Sequence, residues 1–471
     1  MLFNSISYLV FFPIVVISYF NLQKKHRVLF LLVASCVFYM AFVPKYILIL
    51  FFIITLDYFL AIKMGEALPE RRRAYLILSI IGNVGILIIF KYWNFASDNL
   101  SLLANIVGWN YTLPLLKFAL PLGLSFHVFQ SLSYIIEVYK KRFIPERNYL
   151  HYALYVMFFP QLVAGPIERP AHLLPQFNTL YEFDRVKVRL GLERMLWGFF
   201  KKLVVADQIA VVVNQLYLNI PNETIGILTL IILFSIQLYA DFSGYCDIAI
   251  GTALILGFEL TENFNRPFIA TSVADFWRKW HISLSSWLKD YLYYPLAFSW
   301  GRLSKWSLHI SVIITFTIIG LWHGANWTFI TMGLLHGIYL TIGSLTENWQ
   351  KKLRLPKGVH IVIVFFLVSV SFVFFRSPDM DTAWTILRNL FTPAFGFNSI
   401  TGLGLLHSAR IIIIPSILLL FLVEYMQARA NTFYFLDKYK SVYRFAWYYA
   451  LTFLILYYGY FGEQAFIYFK F

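Results

Sequence analysis

The chain has 471 residues, of which 59% are hydrophobic, 20% aromatic and only 13% charged, and its formal net charge is +15. A soluble domain has about 25% charged residues, so this composition and the mean hydropathy of +0.67 exclude a soluble, disordered, collagenous, coiled-coil or disulfide-scaffold protein and predict an integral membrane protein. The basic residues lie in short runs between apolar stretches, which is typical of cytoplasmic loops and of contacts with anionic lipid. We therefore expect membrane lipid, and no nucleic acid, as a partner.

The first residues, Met1–Ser7, carry no basic side chain, and no small-residue cleavage site precedes the first basic run. They predict an uncleaved first span rather than a signal peptide. A helix needs about 20 apolar residues to cross a bilayer, and about a dozen stretches approach that length. These predicted spans are Ile6–Phe20, Val28–Phe42, Tyr46–Ile62, Ala74–Trp93, Leu120–Val138, Tyr149–Ala164, Ile225–Phe258, Trp306–Leu321, Asn326–Leu345, Val359–Phe375, Ile411–Tyr425 and Phe445–Phe461. We predict an all-α, polytopic integral membrane fold that forms a single domain over residues 1–471.

Basic runs indicate the orientation of these spans. The runs are Lys24–Arg27, Arg71–Arg73 and Lys140–Arg142. The connections between them, Val43–Lys45 and Asn94–Ala119, are nearly free of positive charge. Because positively charged loops stay in the cytoplasm, we predict that these runs, together with Arg354 and Lys357, are cytoplasmic. The N-terminus and residues 461–471 are then extracytoplasmic.

Two segments, residues 166–223 and 259–305, mix charges with apolar residues at helical spacing, and the second is rich in tryptophan. Neither composition suits hydrocarbon, and both predict amphipathic helices in the cytoplasmic interface. A role in anchoring alone would explain them. Their polar content is denser than anchoring needs, which favours a functional site in these segments.

Histidines within or beside apolar stretches are candidate functional residues, because an ionisable group is expensive to bury in a membrane. His323 lies in Leu321–Trp327 between two predicted spans, and His336 lies in the second of them. His281 follows a tryptophan-rich stretch that is predicted to be cytoplasmic. A transmembrane histidine that merely bonds a neighbouring helix is an equally good interpretation of each membrane histidine taken alone.

Two further groups of polar residues stand out. Arg278 and Lys279 suit a phosphate-bearing ligand, although an ordinary cytoplasmic pair of cations is the commoner explanation of such a pair. The segment Gln237–Asp247 places two aspartates, Asp241 and Asp247, within apolar sequence, which fits an ion relay, a hydrogen-bonded kink or a channel lining equally well. The sequence contains no glycine-rich phosphate loop, zinc motif or nucleophile elbow, so we expect no bound metal.

These motifs closely resemble those of the membrane-bound O-acyltransferase superfamily, in particular its bacterial branch of polysaccharide O-acetyltransferase membrane subunits. The matching stretches are Phe159–Arg169, Tyr239–Gly251, Asn263–Phe268, Asp275–Pro295, Leu321–Trp327, the opening Met1–Pro13 and the ending Phe466–Phe471. The resemblance covers nearly the whole chain. Cys246, where we expect serine, and His127, where we expect an aromatic residue, depart from it.

The resemblance implies an enzyme that moves an acyl group from a cytoplasmic thioester to an extracytoplasmic acceptor. It implies that His323 is the buried catalytic histidine and that His281 is the second, more cytoplasmic catalytic position, within a catalytic core at about residues 150–345. The implied donor is acetyl-CoA, used as a substrate, with no bound cofactor. The implied acceptor is a cell-surface polysaccharide, often reached through a separate extracytoplasmic transferase of the SGNH-hydrolase type, and the implied location is the bacterial inner membrane.

We expect the phosphates of acetyl-CoA to lie near Arg278 and Lys279 and the pantetheine arm to pass through a narrow tunnel. The expected tunnel residues are Trp280, Gln237, Asp241, Ser243 and Asn326. His323 would act as a neutral general base toward the acceptor hydroxyl, while the dry tunnel limits hydrolysis of the thioester. An acyl-enzyme intermediate, with Cys246 as one candidate, is an alternative.

Two other classes of protein share the composition. A proton-coupled transporter would use Asp241, Asp247, His323 and His336 as a proton path, but it would not need the tryptophan-rich segment that leads into His281. A membrane scaffold would only recruit an extracytoplasmic enzyme. Release of free CoA on addition of an acceptor distinguishes the enzyme from both.

Overall fold

The computed structural model describes residues 1–109, 114–117, 121–179, 181–301, 304, 306–392, 394, 409–462 and 464–470. The predicted loop Asn94–Ala119, the predicted span that starts at Leu120 and the predicted motif that ends at Phe471 lie partly outside these residues. The described residues are mainly helical and contain no β-strand. They pack as two compact units, each of which is described by itself below.

The first unit comprises Met1–Gly191 and Thr252–Thr261. Its helices are α1 (Ile6–Asn21), α2 (Lys24–Met40), α3 (Ile47–Glu66), α4 (Pro69–Leu87), α5 (Trp93–Ile106), α6 (Leu124–Tyr139), α7 (Tyr149–Met157) and α8 (Pro170–Leu173). Helix α7 is much shorter than the predicted span Tyr149–Ala164, because Pro160 disfavours helical geometry at the residue before it. Buried polar side chains are also part of this unit: the Asp57 carboxylate accepts hydrogen bonds from Ser79 Oγ (2.5 Å) and Asn83 Nδ2 (2.8 Å).

The second unit comprises Leu192–Gly251 and Glu262–Phe471. Helices α9 (Arg185–Phe199) and α11 (Thr224–Ile255) belong partly to each unit. The remaining helices are α10 (Asp207–Leu218), α12 (Val273–Trp277), α13 (Ile282–Leu288), α14 (Tyr294–Trp300), α15 (Ser307–His323), α16 (Trp327–Leu345), α17 (Glu347–Leu353), α18 (Lys357–Arg376), α19 (Met380–Leu390), α20 (Ile414–Ala430) and α21 (Ser441–Tyr458). A π-helical turn, Phe200–Ala206, links α9 to α10, and a 3₁₀ turn, Ile467–Lys470, follows α21.

Six helices among the described residues are long and apolar enough to cross a membrane. They are Pro44–Glu66, Pro69–Ile106, Thr224–Ile255, Trp327–Leu345, Lys357–Arg376 and Ile411–Ala430, and the shorter apolar helices are Ile6–Asn21 and Ser307–His323. The other predicted spans form helices that are shorter or less apolar, namely α2, α6, α7 and α21. The all-α, multi-pass membrane fold predicted from the sequence is therefore confirmed.

Helices α15 and α16 form a tightly packed antiparallel pair that positions the candidate site. Their backbones approach closely at glycines: a Cβ atom added to Gly320 would clash with the carbonyl oxygen of Phe329, and one added to Gly333 with that of Phe316. Small residues allow this approach between membrane helices. Helix α15 ends at His323, and Asn326 begins α16 by accepting a hydrogen bond from Thr328 N at 3.0 Å.

Candidate functional site

His323 occupies the last position of α15 and is 6% exposed. Aromatic rings surround its imidazole: the ring centroids of Trp322, Phe375 and Tyr468 lie 4.9, 5.4 and 5.8 Å from that of His323. His323 thus lies inside the protein, in an aromatic environment at the end of α15.

His281 is fully buried and precedes α13 in a left-handed backbone conformation (φ 45°). Its Nδ1 lies 3.1 Å from Asn263 Oδ1, which also accepts hydrogen bonds from the Ser283 backbone N–H (3.1 Å) and hydroxyl (2.9 Å). Because this oxygen only accepts, Nδ1 of His281 carries the proton and Nε2 carries the lone pair. Asn263 therefore sets the tautomer and the orientation of the His281 ring.

Tyr468 joins the two histidines and was not predicted as a site residue. Its ring centroid lies 6.2 Å from that of His281 and 5.8 Å from that of His323, and it packs on Phe242 at 4.2 Å. Trp322 makes a second link, because its ring also lies 6.3 Å from His281. Tyr468 is more than a hundred residues away in sequence from either histidine. The only sequence signal was the resemblance of the segment Phe466–Phe471.

Burial lowers the pKa of His281 to about 3, because the charged imidazolium is poorly solvated there. The unfolded chain, with an ordinary histidine pKa of about 6.5, binds this proton between roughly pH 3 and 6.5, whereas the folded protein does not. His281 thus makes the free energy of unfolding fall by up to about 1.4 kcal/mol per pH unit below pH 6.5. We expect His281→Asn, which suits a left-handed conformation and does not titrate, to lose less thermal stability between pH 7.5 and 5 than the parent protein. Thermal unfolding in detergent at the two pH values measures this, and an equal loss in both proteins would contradict it.

Both aspartates of α11 form ion pairs with buried cations. Asp247 bonds Arg194 (3.0 Å between Nη2 and Oδ1) and Lys201, whereas Asp241 bonds Lys202 (2.6 Å between Nζ and Oδ1). Lys201 and Lys202 belong to the predicted interfacial segment 166–223, but their charges point into the protein, where the two residues are 4% and 1% exposed. These pairs explain the aspartates within the apolar sequence as members of buried ionic networks.

Asp241 and Asp247 belong to different faces of α11, about 120° apart, since a helix turns by about 100° per residue. Tyr239, Ser243 and Asp247 line a cavity of about 290 Å³, which we call the Arg194 cavity. Gln237 and Asp241 line a second cavity of about 290 Å³, which we call the Arg376 cavity. Two adjacent lysines are likewise divided between the cavities: Lys201 lines the Arg194 cavity and Lys202 lines the Arg376 cavity.

The Arg194 cavity has both charged and apolar residues in its lining. Its further lining residues are Arg194, Trp197, Cys246, Ile250, Glu262, Asn263, Phe264, Asn265, Arg266, Ile282, Glu424, Gln427, Asn431, Thr432 and Phe433. Burial lowers the pKa of Arg194, but attraction by Glu262 and Asp247 outweighs burial and raises that pKa above its usual value. Ile282, the neighbour of His281, and Asn263, its hydrogen-bond partner, both belong to this lining, so the cavity reaches the immediate surroundings of His281.

The Arg376 cavity reaches the surroundings of His323. Its further lining residues are Asp207, Ala210, Asn214, Asn326, Phe329, Arg376, Ser377, Pro378, Gln464, Ala465 and Ile467. Asn326 lies three residues after His323, and Ile467 precedes Tyr468. The carbonyl oxygen of the Gln237 side chain is buried and makes no hydrogen bond within the described residues. This cavity therefore offers uncharged hydrogen-bonding groups beside its ion pairs.

The predicted donor-binding residues fall in different places. Ser243 lines the Arg194 cavity, whereas Gln237, Asp241 and Asn326 line the Arg376 cavity. Trp280 is buried in the aromatic core, stacked on Phe276 at 5.3 Å.

Arg278 and Lys279 line neither the Arg194 nor the Arg376 cavity. Lys279 bonds Asp275 at 2.8 Å. Arg278, with a side chain 71% exposed, lines two other cavities instead, the larger of about 760 Å³. The role of these two cations in phosphate binding remains a prediction.

His336 differs from the other two histidines because neighbouring helices use both of its ring nitrogens. Trp277 Nε1 donates to His336 Nδ1 at 3.3 Å, so His336 Nε2 carries the proton and donates to Ser371 Oγ at 2.8 Å. Ser371 in turn donates to the carbonyl of Val368. This arrangement ties α12, α16 and α18 together and supports the structural interpretation of His336.

These features define an integral membrane protein with a buried site in which two histidines and a tyrosine lie beside two polar cavities. The chain matches the model of MBOAT, the membrane-bound O-acyltransferase family, over residues 15–378. It is 37% identical over 398 residues to the probable alginate O-acetylase AlgI of Pseudomonas aeruginosa, covering 83% of this chain and 75% of the relative. It is 34% identical over 447 residues to the peptidoglycan O-acetyltransferase of Helicobacter pylori, covering 87% and 82%.

A more distant similarity extends to a teichoic acid D-alanyltransferase of Bacillus subtilis, which is 31% identical over 268 residues, or 54% of this chain and 67% of the relative. The chain belongs to the membrane-bound O-acyltransferase family. It is thus a multi-pass membrane acyltransferase, and the family resemblance derived from the sequence is confirmed.

Proposed function

We propose that the protein transfers an acetyl group from cytoplasmic acetyl-CoA to hydroxyl groups of an extracytoplasmic polysaccharide, directly or through an SGNH-type partner transferase. Two relatives that this chain covers over most of their length are named a probable alginate O-acetylase and a peptidoglycan O-acetyltransferase, and the third is named a teichoic acid D-alanyltransferase. These names support acyl transfer to a polysaccharide. The bacterial inner membrane, with the N-terminus outside, is the corresponding location. The observation that carries the proposal is the contact of Tyr468 with both His281 and His323, beside two separately lined cavities.

His323 acts as the general base. A neutral imidazole takes the proton of the acceptor hydroxyl while the hydroxyl oxygen attacks the carbonyl carbon of the thioester. The carbon–sulfur bond then breaks, the acyl group stays on the oxygen, and the proton passes to the departing thiolate to give CoA. The aromatic rings around His323 exclude water, which limits hydrolysis of the thioester.

The Arg194 cavity is the proposed path of the donor. Its cations are largely paired internally, as in Arg194 with Asp247 and Glu262, which suits the uncharged pantetheine arm with its amide groups. Asn263 and Ser243 provide polar side chains along this path. Arg266 is the residue that we propose for binding the phosphates, since its guanidinium bonds only its neighbour Asn265 among the hydrogen bonds of the described residues.

We expect Arg266→Lys, which keeps the charge, to preserve the KM for acetyl-CoA and Arg266→Ala to raise it by roughly tenfold, since a charge-assisted hydrogen bond contributes about 1.5–3 kcal/mol. The kcat is expected to change little, because the phosphates are remote from the reacting carbon. Arg278→Ala and Lys279→Ala, measured beside them, test the prediction made from the sequence. Steady-state kinetics with purified protein decides, and an unchanged KM in Arg266→Ala would exclude Arg266 from phosphate binding.

The Arg376 cavity is the proposed approach of the acceptor hydroxyl. Side-chain amides of Gln237, Asn326 and Asn214 line it, and amides suit the hydroxyl groups of a sugar or of a partner's serine. The side-chain amide of Asn326 donates a hydrogen bond to the carbonyl oxygen of Pro378 (3.0 Å). This bond holds Asn326, which lies three residues after His323 in sequence, against the turn that follows α18.

The test uses purified full-length protein in vesicles, acetyl-labelled acetyl-CoA and candidate acceptors, which are alginate, peptidoglycan fragments and a purified SGNH-type transferase. We expect acceptor-dependent release of free CoA and transfer of label to one of them. Passage of label across the vesicle without CoA release would overturn the proposal in favour of a transporter. The acyl-enzyme alternative would be established if the protein itself becomes covalently labelled in the absence of an acceptor and if the Cys246→Ser protein does not.

A further inference from the structure

A buried lysine lies between two aspartates on one side of the site. Lys202 Nζ is 2.6 Å from Asp241 Oδ1 and 2.8 Å from Asp207 Oδ1, and all three side chains are at most 4% exposed. Burial lowers the pKa of Lys202, but attraction by Asp241 and Asp207 outweighs burial and raises it above its usual value. The ammonium is therefore charged, and the three residues, which we call the Lys202 triad, form a charged cluster inside the protein.

The Lys202 triad holds a distant segment of the chain. Asp241 Oδ2, the oxygen not bonded to Lys202, accepts a hydrogen bond from the backbone N–H of Ile467 at 2.7 Å. The Lys202 ammonium also lies 4.3 Å from the centre of the Phe466 ring, within the range of a cation–π interaction. Both contacts are made with residues directly before Tyr468, and both use buried groups, whose interactions are stronger than those in water.

We infer that the Lys202 triad is an anchor that positions Tyr468 between His281 and His323. One carboxylate oxygen of Asp241 holds the lysine while the other holds the backbone of Ile467, so a single residue couples the charged cluster to the 3₁₀ turn Ile467–Lys470. Lys202, Asp207 and Asp241 are thus positioning residues that act through Phe466 and Ile467, and not residues that bind the donor. The functional consequence rests on the proposed acyl transfer, whereas the anchoring itself does not.

The neighbouring Lys201 provides a matched control. It is also buried and also pairs with an aspartate of α11, Asp247, but it lines the other cavity. Among the described residues it contacts Asp247, Ser243 and the Tyr239 ring rather than residues 464–470. Loss of either lysine breaks an ion pair of the same type, so a general loosening of the protein would affect both variants alike. Only the loss of Lys202 should release the segment.

The experiment measures the accessibility of position 467. Ile467→Cys keeps the backbone N–H that bonds Asp241, and Cys36→Ala with Cys246→Ser removes the two natural thiols. In purified full-length protein we expect a water-soluble maleimide to label Cys at position 467 about ten- to a hundredfold faster in Asp241→Ala and Lys202→Met than in the parent, because a hydrogen bond to a charged group no longer opposes local opening. Asp241→Asn and Lys202→Arg, which keep an acceptor and a charge respectively, should give smaller increases.

Lys201→Met should leave the labelling rate within about twofold of the parent, since Lys201 contacts Asp247, Ser243 and the Tyr239 ring rather than the anchored segment. The proposed anchor would be wrong if Asp241→Ala and Lys202→Met are labelled at the same rate as the parent. It would also be wrong if Lys201→Met increases the labelling rate as much as Lys202→Met does. In acetyl-transfer assays the anchor variants should lose kcat with an unchanged KM for acetyl-CoA. If no protein transfers acetyl groups, the proposed function fails while the labelling rates still decide the anchor.

Discussion

We expect the His323→Ala protein to retain binding of acetyl-CoA and to lose acetyl transfer by at least about 10²–10⁴-fold, which is the usual contribution of a positioned general base. The imidazole of His323 lies among Trp322, Phe375 and Tyr468, and none of these neutral rings is a base of comparable strength. Donor binding is expected to survive because the Arg194 cavity does not include His323 in its lining.

His309 provides the matched control for this variant. It is on the same helix, α15, but near its first turn, where its ring lies beside Trp306 at 5.9 Å. His309→Ala should therefore transfer acetyl groups at close to the parental rate. Both variants are first compared by gel filtration and by thermal unfolding, so that a loss of activity is assigned to folded protein. Near-parental turnover of His323→Ala would remove the general base from the mechanism.

Two substitutions of Tyr468 distinguish the contribution of its ring from that of its hydroxyl group. Tyr468→Phe keeps the ring contacts with His281, His323 and Phe242 but loses the hydroxyl, whereas Tyr468→Ala loses both. Comparison of the two variants shows whether the ring positions the histidines or the hydroxyl takes part in the chemistry.

The membrane fold, and the choice of His281 and His323 as candidate site residues, were accessible from the sequence. Apolar stretches long enough to cross a bilayer predict helices, and the predicted span Ile225–Phe258 corresponds closely to α11, Thr224–Ile255. His323 stands out because it lies between two such stretches, where a titratable group is costly. Local composition therefore predicts where helices lie and which polar residues are unusual, and the family comparison confirms the class of enzyme.

Partnerships between distant residues were not accessible in the same way. Asp241 and Asp247 look alike in sequence, yet they lie on different faces of α11, line different cavities and pair with different lysines. Lys201 and Lys202 belong to the segment 166–223, whose mixture of charged and apolar residues predicted interfacial helices, although tertiary ion pairs draw both side chains inward. Tyr468 reaches the histidines only because the chain returns to α11 near residue 467. Such contacts depend on the assembled fold, so the hydrophobic periodicity of a single segment cannot predict them.

Close packing of α15 against α16 is a further feature that a hydropathy pattern does not contain, and it controls the position of His323. Gly333 on α16 faces Gly320 on α15, three residues before His323, and a Cβ atom at Gly333 would lie 2.9 Å from Gly320 N and still nearer to the Phe316 carbonyl oxygen. Backbone atoms cannot rotate away as a flexible side chain can. An added methyl group must therefore push the two helices apart.

We expect Gly333→Ala to lower the free energy of unfolding by about 1–3 kcal/mol, as overpacking does, and to reduce turnover by at least about tenfold, since a misplacement of about 1 Å costs up to about 10²-fold. Gly343→Ala is the matched control on the same helix, because a Cβ atom there meets nothing within 4 Å. That variant should be as stable as the parent or more stable by up to about 1 kcal/mol, since alanine favours helix over glycine. Thermal unfolding and acetyl transfer, measured on both variants in the same detergent, check the prediction. If Gly333→Ala matches Gly343→Ala in both measurements, contact between the backbones of α15 and α16 does not position His323.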